Sequence, residues 1–198
     1  NTDGTIPSTV AVNQEAGFSI VSYTATGSTA TVGHGLGASP DLILAKTSNQ
    51  AYNWIAYSSA LGSSTQLLLD SSNAAQTGSS IMASTDPTST VFTAGAGNNL
   101  NYANGNTIIA YCFTSIPGYS KIGSYVGNGS SNPIYVGFQP KFVMAKQTTG
   151  SGGSWLIMDS ARGANKQLYP NLSSAEYSDT GNSFSSTGFT MKSNGNWN

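Results

Sequence analysis

The chain has 198 residues, with seven Lys and Arg together, eight Asp and Glu, one His and one Cys. That length suits one large domain or two of roughly 100 residues, and a charged share of 8% excludes a self-repelling tail and a phosphate-binding basic surface. One cysteine excludes an internal disulfide framework, and without a run of about 18 apolar residues no membrane insertion is expected.

The opening NTDGTIPSTV has no basic stretch followed by an apolar one, so no secretory signal is expected there. Residues 1–16 form an extended leading segment in this reading. With two glutamates (Glu15, Glu176) and the lone Arg162, exposed helix faces would lack their usual residues. The apolar runs are instead short, rich in Val, Ile, Phe and Tyr, and bounded by Gly, Asn or Ser, which predicts strands. In chain order they lie near Gly17–Thr24, Thr29–His34, Asp41–Lys46, Asn53–Ser58, Thr65–Asp70, Thr90–Ala94 and Thr107–Phe113. A second series lies near Ser120–Val126, Ile134–Phe138, Lys141–Lys146, Ser154–Asp159, Gln167–Tyr169 and Gly188–Lys192. Helix is expected only as brief turns at Ser58–Gly62 and Ser173–Tyr177.

The two series repeat one another. SYTATGS (Ser22–Ser28) returns as SYVGNGS (Ser124–Ser130), PDLILAK (Pro40–Lys46) as PKFVMAK (Pro140–Lys146), and NWIAYSSALG (Asn53–Gly62) as SWLIMDSARG (Ser154–Gly163). QLLLDSSNAA (Gln66–Ala75) returns as QLYPNLSSAE (Gln167–Glu176), and STVFTAG (Ser89–Gly95) matches TGFTMKS (Thr187–Ser193). Trp54 with Trp155, and Phe92 with Phe189, are the repeat anchors, expected as core aromatics. The expected architecture is all-β: two tandem homologous β-sandwich modules of jelly-roll type, at 17–115 and 116–198, with a seam at Thr114–Gly118. Asn198 aligns with Asn101, so the second module lacks a counterpart of its last strand, Thr107–Phe113. The chain as a fragment of a longer one, gap-filling by Thr5–Val12 within the chain or from a neighbouring subunit, and closure without the strand are the alternatives.

The opening through SYTATG, VGHGLGASPDLILAK, the join NGNTIIAYCFTSIPGYSKIGSYVGNGSSNPIYVGFQPKFVMAK, SWLIMDSARG and FSSTGFTMKSNGNWN cover nearly the whole chain. Together they resemble an uncharacterised repeat domain of tail-fibre and tail-associated proteins of tailed, especially marine, bacteriophages. In such relatives a final apolar strand follows the Asn/Trp segment. The resemblance implies a virion structural or adhesive module and carries no catalytic motif.

Candidate chemistry is sparse. His34 sits in a glycine-flanked VGHGLG turn; a Ser-His-Asp arrangement with Asp41 or Asp70 has no nucleophile elbow to support it. Asp159 beside Arg162 suggests a hydrolytic carboxylate, but DSARG reads better as a hydrogen-bonded turn after a strand. Asp86, Asp159 and Asp179 are the candidate calcium ligands, without a DxDxDG loop. Cys112 in IIAYCF reads as a buried, inert thiol. No catalytic residue, metal or cofactor is therefore expected. Tyr102, Tyr177 and Trp197, in polar surroundings, are candidates for stacking on sugar rings. Asn128 and Asn171 begin Asn-x-Ser sequons and read as turn residues.

The expected function is non-enzymatic: spacing and weak multivalent attachment in a phage tail fibre or similar appendage, located in the virion or outside the cell. Homo-oligomerisation as a trimer or filament is expected, with a host surface glycan as possible ligand and no nucleic acid. The alternatives are a bacterial surface filament or adhesin subunit assembled by strand exchange, and a carbohydrate-binding module.

Overall fold

The computed structural model describes residues 1–78, 82–97, 100–192 and 197–198. Among them every regular element is a strand, and no helix is long and apolar enough to cross a membrane. The chain divides into two compact units: Asn1–Leu69 with Gln76–Ile116, and Asp70–Ala75 with Pro117–Asn198. The leading residues 1–16 thus belong to unit 1, and the short segment Asp70–Ala75 to unit 2.

Unit 1 holds β1 (Ser8–Asn13), β2 (Phe18–Thr24), β3 (Ala30–Gly33), β4 (Leu42–Thr47), β5 (Ile55–Ser58), β6 (Thr65–Leu68), β7 (Gln76–Thr77), β8 (Val91–Ala94) and β9 (Thr107–Phe113). Seven of these form an antiparallel sheet in the order β1-β2-β9-β4-β5-β6-β7, and β3 pairs with β8. The sequence TIIAYCF makes β9 the centre of that sheet. Its alternate residues Ile108, Ala110 and Cys112 are fully buried on one face, as the two-residue period of a strand requires. Val21, Tyr23, Ile43, Ala45 and Ile108 from the large sheet meet Val32, Phe92 and Ala94 from β3 and β8, closing a β-sandwich.

Unit 2 holds β10 (Asn132–Tyr135), β11 (Phe142–Ala145), β12 (Leu156–Asp159), β13 (Lys166–Leu168), β14 (Tyr177–Ser178), β15 (Ser183–Ser185) and β16 (Gly188–Met191). Its sheets run β11-β12-β13-β14 and β10-β16-β15. Val143, Leu156 and Met158 of the first pack with Phe189 and Met191 of the second. Ser72 accepts a hydrogen bond from the Gly153 amide at 2.8 Å, and Ala75 donates to Thr148 at 3.0 Å. Gly152, at φ +76°, makes this approach possible: a Cβ there would lie 2.3 Å from the Ser72 carbonyl oxygen.

The pairing scheme recurs between units. The order β4-β5-β6-β7 matches β11-β12-β13-β14, and β3 with β8 matches β10 with β16.

Three sequence expectations change. Ser120–Val126 forms no strand. Its repeat equivalent, β2, is paired with β9 along its whole length, from Phe18 opposite Phe113 to Thr24 opposite Thr107. No strand of that kind is present in unit 2 among the described residues, and Gly123 stands near the middle of the segment without a side chain to bury. Thr5–Val12 does not complete unit 2, because Ser8–Asn13 is taken up as β1 against β2. Ser58–Gly62 closes as a single turn, Leu61 and Gly62 both donating to the Ser58 carbonyl, whereas Ser173–Tyr177 is extended and leads into β14.

Candidate functional site

Charged residues are scarce in this chain, so their placement is informative. All four ion pairs found among the described residues lie in unit 2, around β12, β13, β14 and the end of β16. At the end of β12 the Asp159 carboxylate caps the turn, accepting the Ala161 and Arg162 amides at 3.0 and 2.9 Å. The same carboxylate takes Arg162 Nε at 2.8 Å, so DSARG is the hydrogen-bonded turn its sequence suggests. These bonds from the Arg162 amide and guanidinium hold the Asp159 carboxyl below its usual range. Arg162 reaches on to Glu176 at 3.3 Å, which Lys166 approaches at 3.6 Å.

Pairing of β13 with β14 brings a second group together. Lys192 Nζ bonds Asp179 at 2.6 Å, and the Gln167 amide nitrogen bonds the other carboxylate oxygen at 3.3 Å. Gln167, almost fully buried, accepts from the Tyr169 hydroxyl at 3.0 Å. The Tyr169 ring stacks on Trp197 with centroids 5.9 Å apart and planes 18° apart. Burial opposes ionisation of Asp179, but the bonds from Lys192, Thr180 and Gln167 outweigh it and lower the carboxyl. Burial, then the negative charge of Asp179, raises the Tyr169 phenol, so the hydroxyl stays protonated and donates. The result is an aromatic stack edged by fixed amide, carboxylate and ammonium groups, a combination that offers a flat apolar face and hydrogen bonds together.

The sequence-derived sugar-stacking candidates fall differently. Tyr177 projects from β14 and is 53% exposed; Tyr102 in unit 1 is 60% exposed and meets Tyr52 edge-on at 6.2 Å. Trp197 is half-buried, its indole nitrogen donating to the Ser154 carbonyl at 2.9 Å, and packs against the unit 2 core. Of the repeat anchors, Phe92 and Phe189 are core residues, each with a tyrosine edge-on: Tyr23 at 6.0 Å and Tyr125 at 6.3 Å. Trp155 is also buried. Trp54 is not part of the sandwich interior. Strand alternation sets it on the face of Ala56, which pairs with Leu44 opposite Tyr111, and it stacks on Tyr111 at 6.2 Å.

The reactive-looking residues of unit 1 are held in structural roles. Both His34 ring nitrogens meet backbone: Nε2 lies 3.1 Å from the Thr88 carbonyl oxygen and Nδ1 accepts the Leu36 amide at 3.2 Å. Asp41 accepts Ser59 Oγ and the Ser115 amide. Asp86 accepts the Ser63 amide at 3.0 Å. Burial pushes the Cys112 thiol up to about 12.

Lys166, Gln167, Tyr169, Glu176 and Lys192 were not legible as a group. They are joined by the β13–β14 ladder and the end of β16, and no local spacing marks them. The available signal was compositional: six of the chain's fifteen charged side chains fall between Asp159 and Lys192.

Comparison with curated proteins and with solved structures returns no match. One family model, described as a domain of unknown function (DUF7483), matches residues 1–198 and so spans both units. The chain belongs to the DUF7483 family.

Proposed function

We propose that this chain is a structural and adhesive module of an extended virion appendage such as a phage tail fibre, built by tandem duplication of one β-sandwich. It acts by spacing and by weak, repeated contacts with host surface glycans, in a homo-oligomer. The reading is supported by the resemblance of the joined repeat phrases to tail-fibre repeat domains. It is also supported by the recurrence of strand order and core aromatic pairs in both units.

The observation that carries it is the exposure of tyrosines on strands and loops: Tyr102, Tyr135 at 77%, and Tyr177. Aromatic rings among Ser, Thr and Asn side chains, and for Tyr177 beside the ion pairs of unit 2, present apolar faces to pyranose rings while neighbouring hydroxyls and amides bond sugar hydroxyls. Each contact is weak alone, and repetition along a fibre multiplies it. Little of this depends on screened ion pairs, which suits exposure to variable salt.

The test is a glycan array probed with bead-clustered chain, alongside a reducing-sugar assay on the glycans retained. Retention on a subset of glycans without new reducing ends is the expected result. Release of reducing ends, or no retention on any glycan, overturns the reading.

A further inference from the structure

The two units differ in kind where β13 and β14 correspond to β6 and β7. Gln66 stands opposite Gln76 in unit 1, and Gln167 opposite Tyr177 in unit 2. The Gly78 amide donates to Ser64 and the Asp179 amide to Asn165, so Gly78 and Asp179 are equivalent as well. In unit 1 Leu68 is buried, Gln66 bonds Gln76 at 2.7 Å, and Gly78 carries no side chain. Unit 2 has Tyr169, Tyr177 and Asp179 at these positions. It also has Lys192 three residues after the Phe189 anchor, where unit 1 has Gly95 after Phe92. Two glycines of one unit thus correspond to a bonded Lys192–Asp179 pair in the other. The sandwich of unit 1 forms without such a pair, so the fold itself does not require it.

Strand alternation puts Gln167 and Tyr169 on one face, with Tyr177 and Asp179 on the same face across the ladder. Their contacts agree: Gln167 bonds both the Tyr169 hydroxyl and the Asp179 carboxylate. Lys192 joins them from the end of β16, its charge supported first by the Asp179 bond and also by Tyr177 and Tyr169. The group keeps unused bonding capacity. Lys192 has three donors and gives one to Asp179. One Asp179 oxygen takes Lys192 and the Thr180 amide, while the other takes only Gln167. Asn182 accepts the Lys192 amide at 3.0 Å, and its buried side-chain nitrogen has no partner among the described residues. That nitrogen is a donor the fold itself does not satisfy. Over this polar group the Tyr177 ring is half-exposed.

We propose that Tyr177, Asp179 and Lys192 form a binding site for one neutral pyranose unit of a glycan, present in unit 2 and not in unit 1. The Tyr177 ring carries the apolar face of the sugar. Lys192 and Asp179, a donor and an acceptor held side by side, match two neighbouring hydroxyls of one ring. Gln167 and Tyr169 are positioning residues: Tyr169 fixes Gln167, and Gln167 fixes the Asp179 carboxylate. The charges of Lys192 and Asp179 cancel, so the site favours a neutral sugar, and an acidic one would bring its carboxylate against Asp179. This deepens the adhesive proposal and rests on it for the choice of a sugar as ligand. It adds that the exposed tyrosines are not equal, and that selectivity resides at Tyr177.

The test titrates the 198-residue chain with the methyl glycosides of glucose, galactose, mannose and N-acetylglucosamine, and with methyl glucuronoside as the acidic probe. Amide and side-chain chemical shifts are followed by NMR. At least one neutral glycoside is expected to give saturable shifts centred on Gln167, Tyr177, Asp179 and Lys192. Tyr177→Gln, which installs the side chain that unit 1 carries there, should weaken binding about tenfold, and Lys192→Gln by a similar factor. Tyr177→Phe keeps the ring and should keep binding. Shifts centred on Tyr102 or Tyr135, undiminished binding by Tyr177→Gln, stronger binding of the glucuronoside, or no shift with any probe overturns the proposal. The glycan array separates the two readings: retention there without shifts at Tyr177 removes this site and leaves adhesion standing, whereas absent retention removes adhesion itself.

Discussion

The Tyr23 hydroxyl donates to the Leu100 carbonyl at 2.9 Å across the interior of unit 1. Tyr23 is 3% exposed and sits edge-on to Phe92, so one side chain joins β2, β8 and the segment leading to β9. Tyr125 makes the equivalent bond to Trp197 in unit 2 from a less buried position.

Removing that hydroxyl isolates the hydrogen bond from the packing. Tyr23→Phe is expected to destabilise unit 1 by about 1–2 kcal/mol, the cost of an unmade buried hydrogen bond. Tyr125→Phe should cost less, because water can reach the vacated carbonyl more readily. Urea unfolding followed by residue-resolved NMR separates the two effects; equal losses would contradict the burial difference.

Asn101 tests the second anchor. Its side chain is fully buried, accepts the Thr26 amide at 2.6 Å and donates to two carbonyls. Asn101→Ala strands several groups at once and is expected to cost about 2–4 kcal/mol. Asn101→Asp retains the acceptor and loses the donors, and should also destabilise. A neutral Asn101→Asp measured by thermal unfolding near pH 7 would show that the donors carry no weight.

The fold predicts a pH dependence through His34. Its partners fix the neutral tautomer, with the proton on Nε2 facing the Thr88 carbonyl and Nδ1 accepting from Leu36. Burial lowers its pKa below the ordinary 6.5, outweighing the opposing influence of Thr88 and Asp3. The unfolded chain therefore binds the proton first as pH falls. This contribution to stability is complete above about pH 6.5 and declines as pH drops toward the folded-state value. Denaturant midpoints measured from pH 7.5 to 5 should fall for the natural chain and stay flatter for His34→Gln.

Cys112 is the matching test at high pH. With its thiol raised to about 12 from 9.0 by burial, it should resist a disulfide reagent at pH 8 in the folded chain and react on unfolding. A slowing of about a thousandfold or more is expected. Its stability contribution is complete below about pH 9 and is lost as pH rises toward the folded value. Rapid labelling of folded protein would place the thiol outside the core.

The all-β class was legible because short Val/Ile/Phe/Tyr runs between turn residues leave no other regular structure open. The period of two in TIIAYCF located the core face of β9. Strand existence at Ser120–Val126 was not legible, since a strand is completed by its ladder partner and not by its own composition. Trp54 was misplaced for a related reason: repeat alignment matched it to Trp155, but only the registers of β4, β5 and β9 reveal which face it occupies. The ionic and aromatic group around Tyr169 depends on pairings distant in sequence, which no motif spacing encodes.

Avidity is the central claim in measurable form. Biotinylated chain, free and assembled on a tetrameric carrier, is to be passed over an immobilised glycan selected by array, together with a Tyr102→Ala/Tyr135→Ala/Tyr177→Ala triple variant. The account predicts weak, fast-dissociating binding by the free chain, about 100-fold or greater gain on the carrier, and loss of that gain in the folded triple variant. Equal affinity of free and tetrameric chain, or full gain without the three tyrosines, would contradict it.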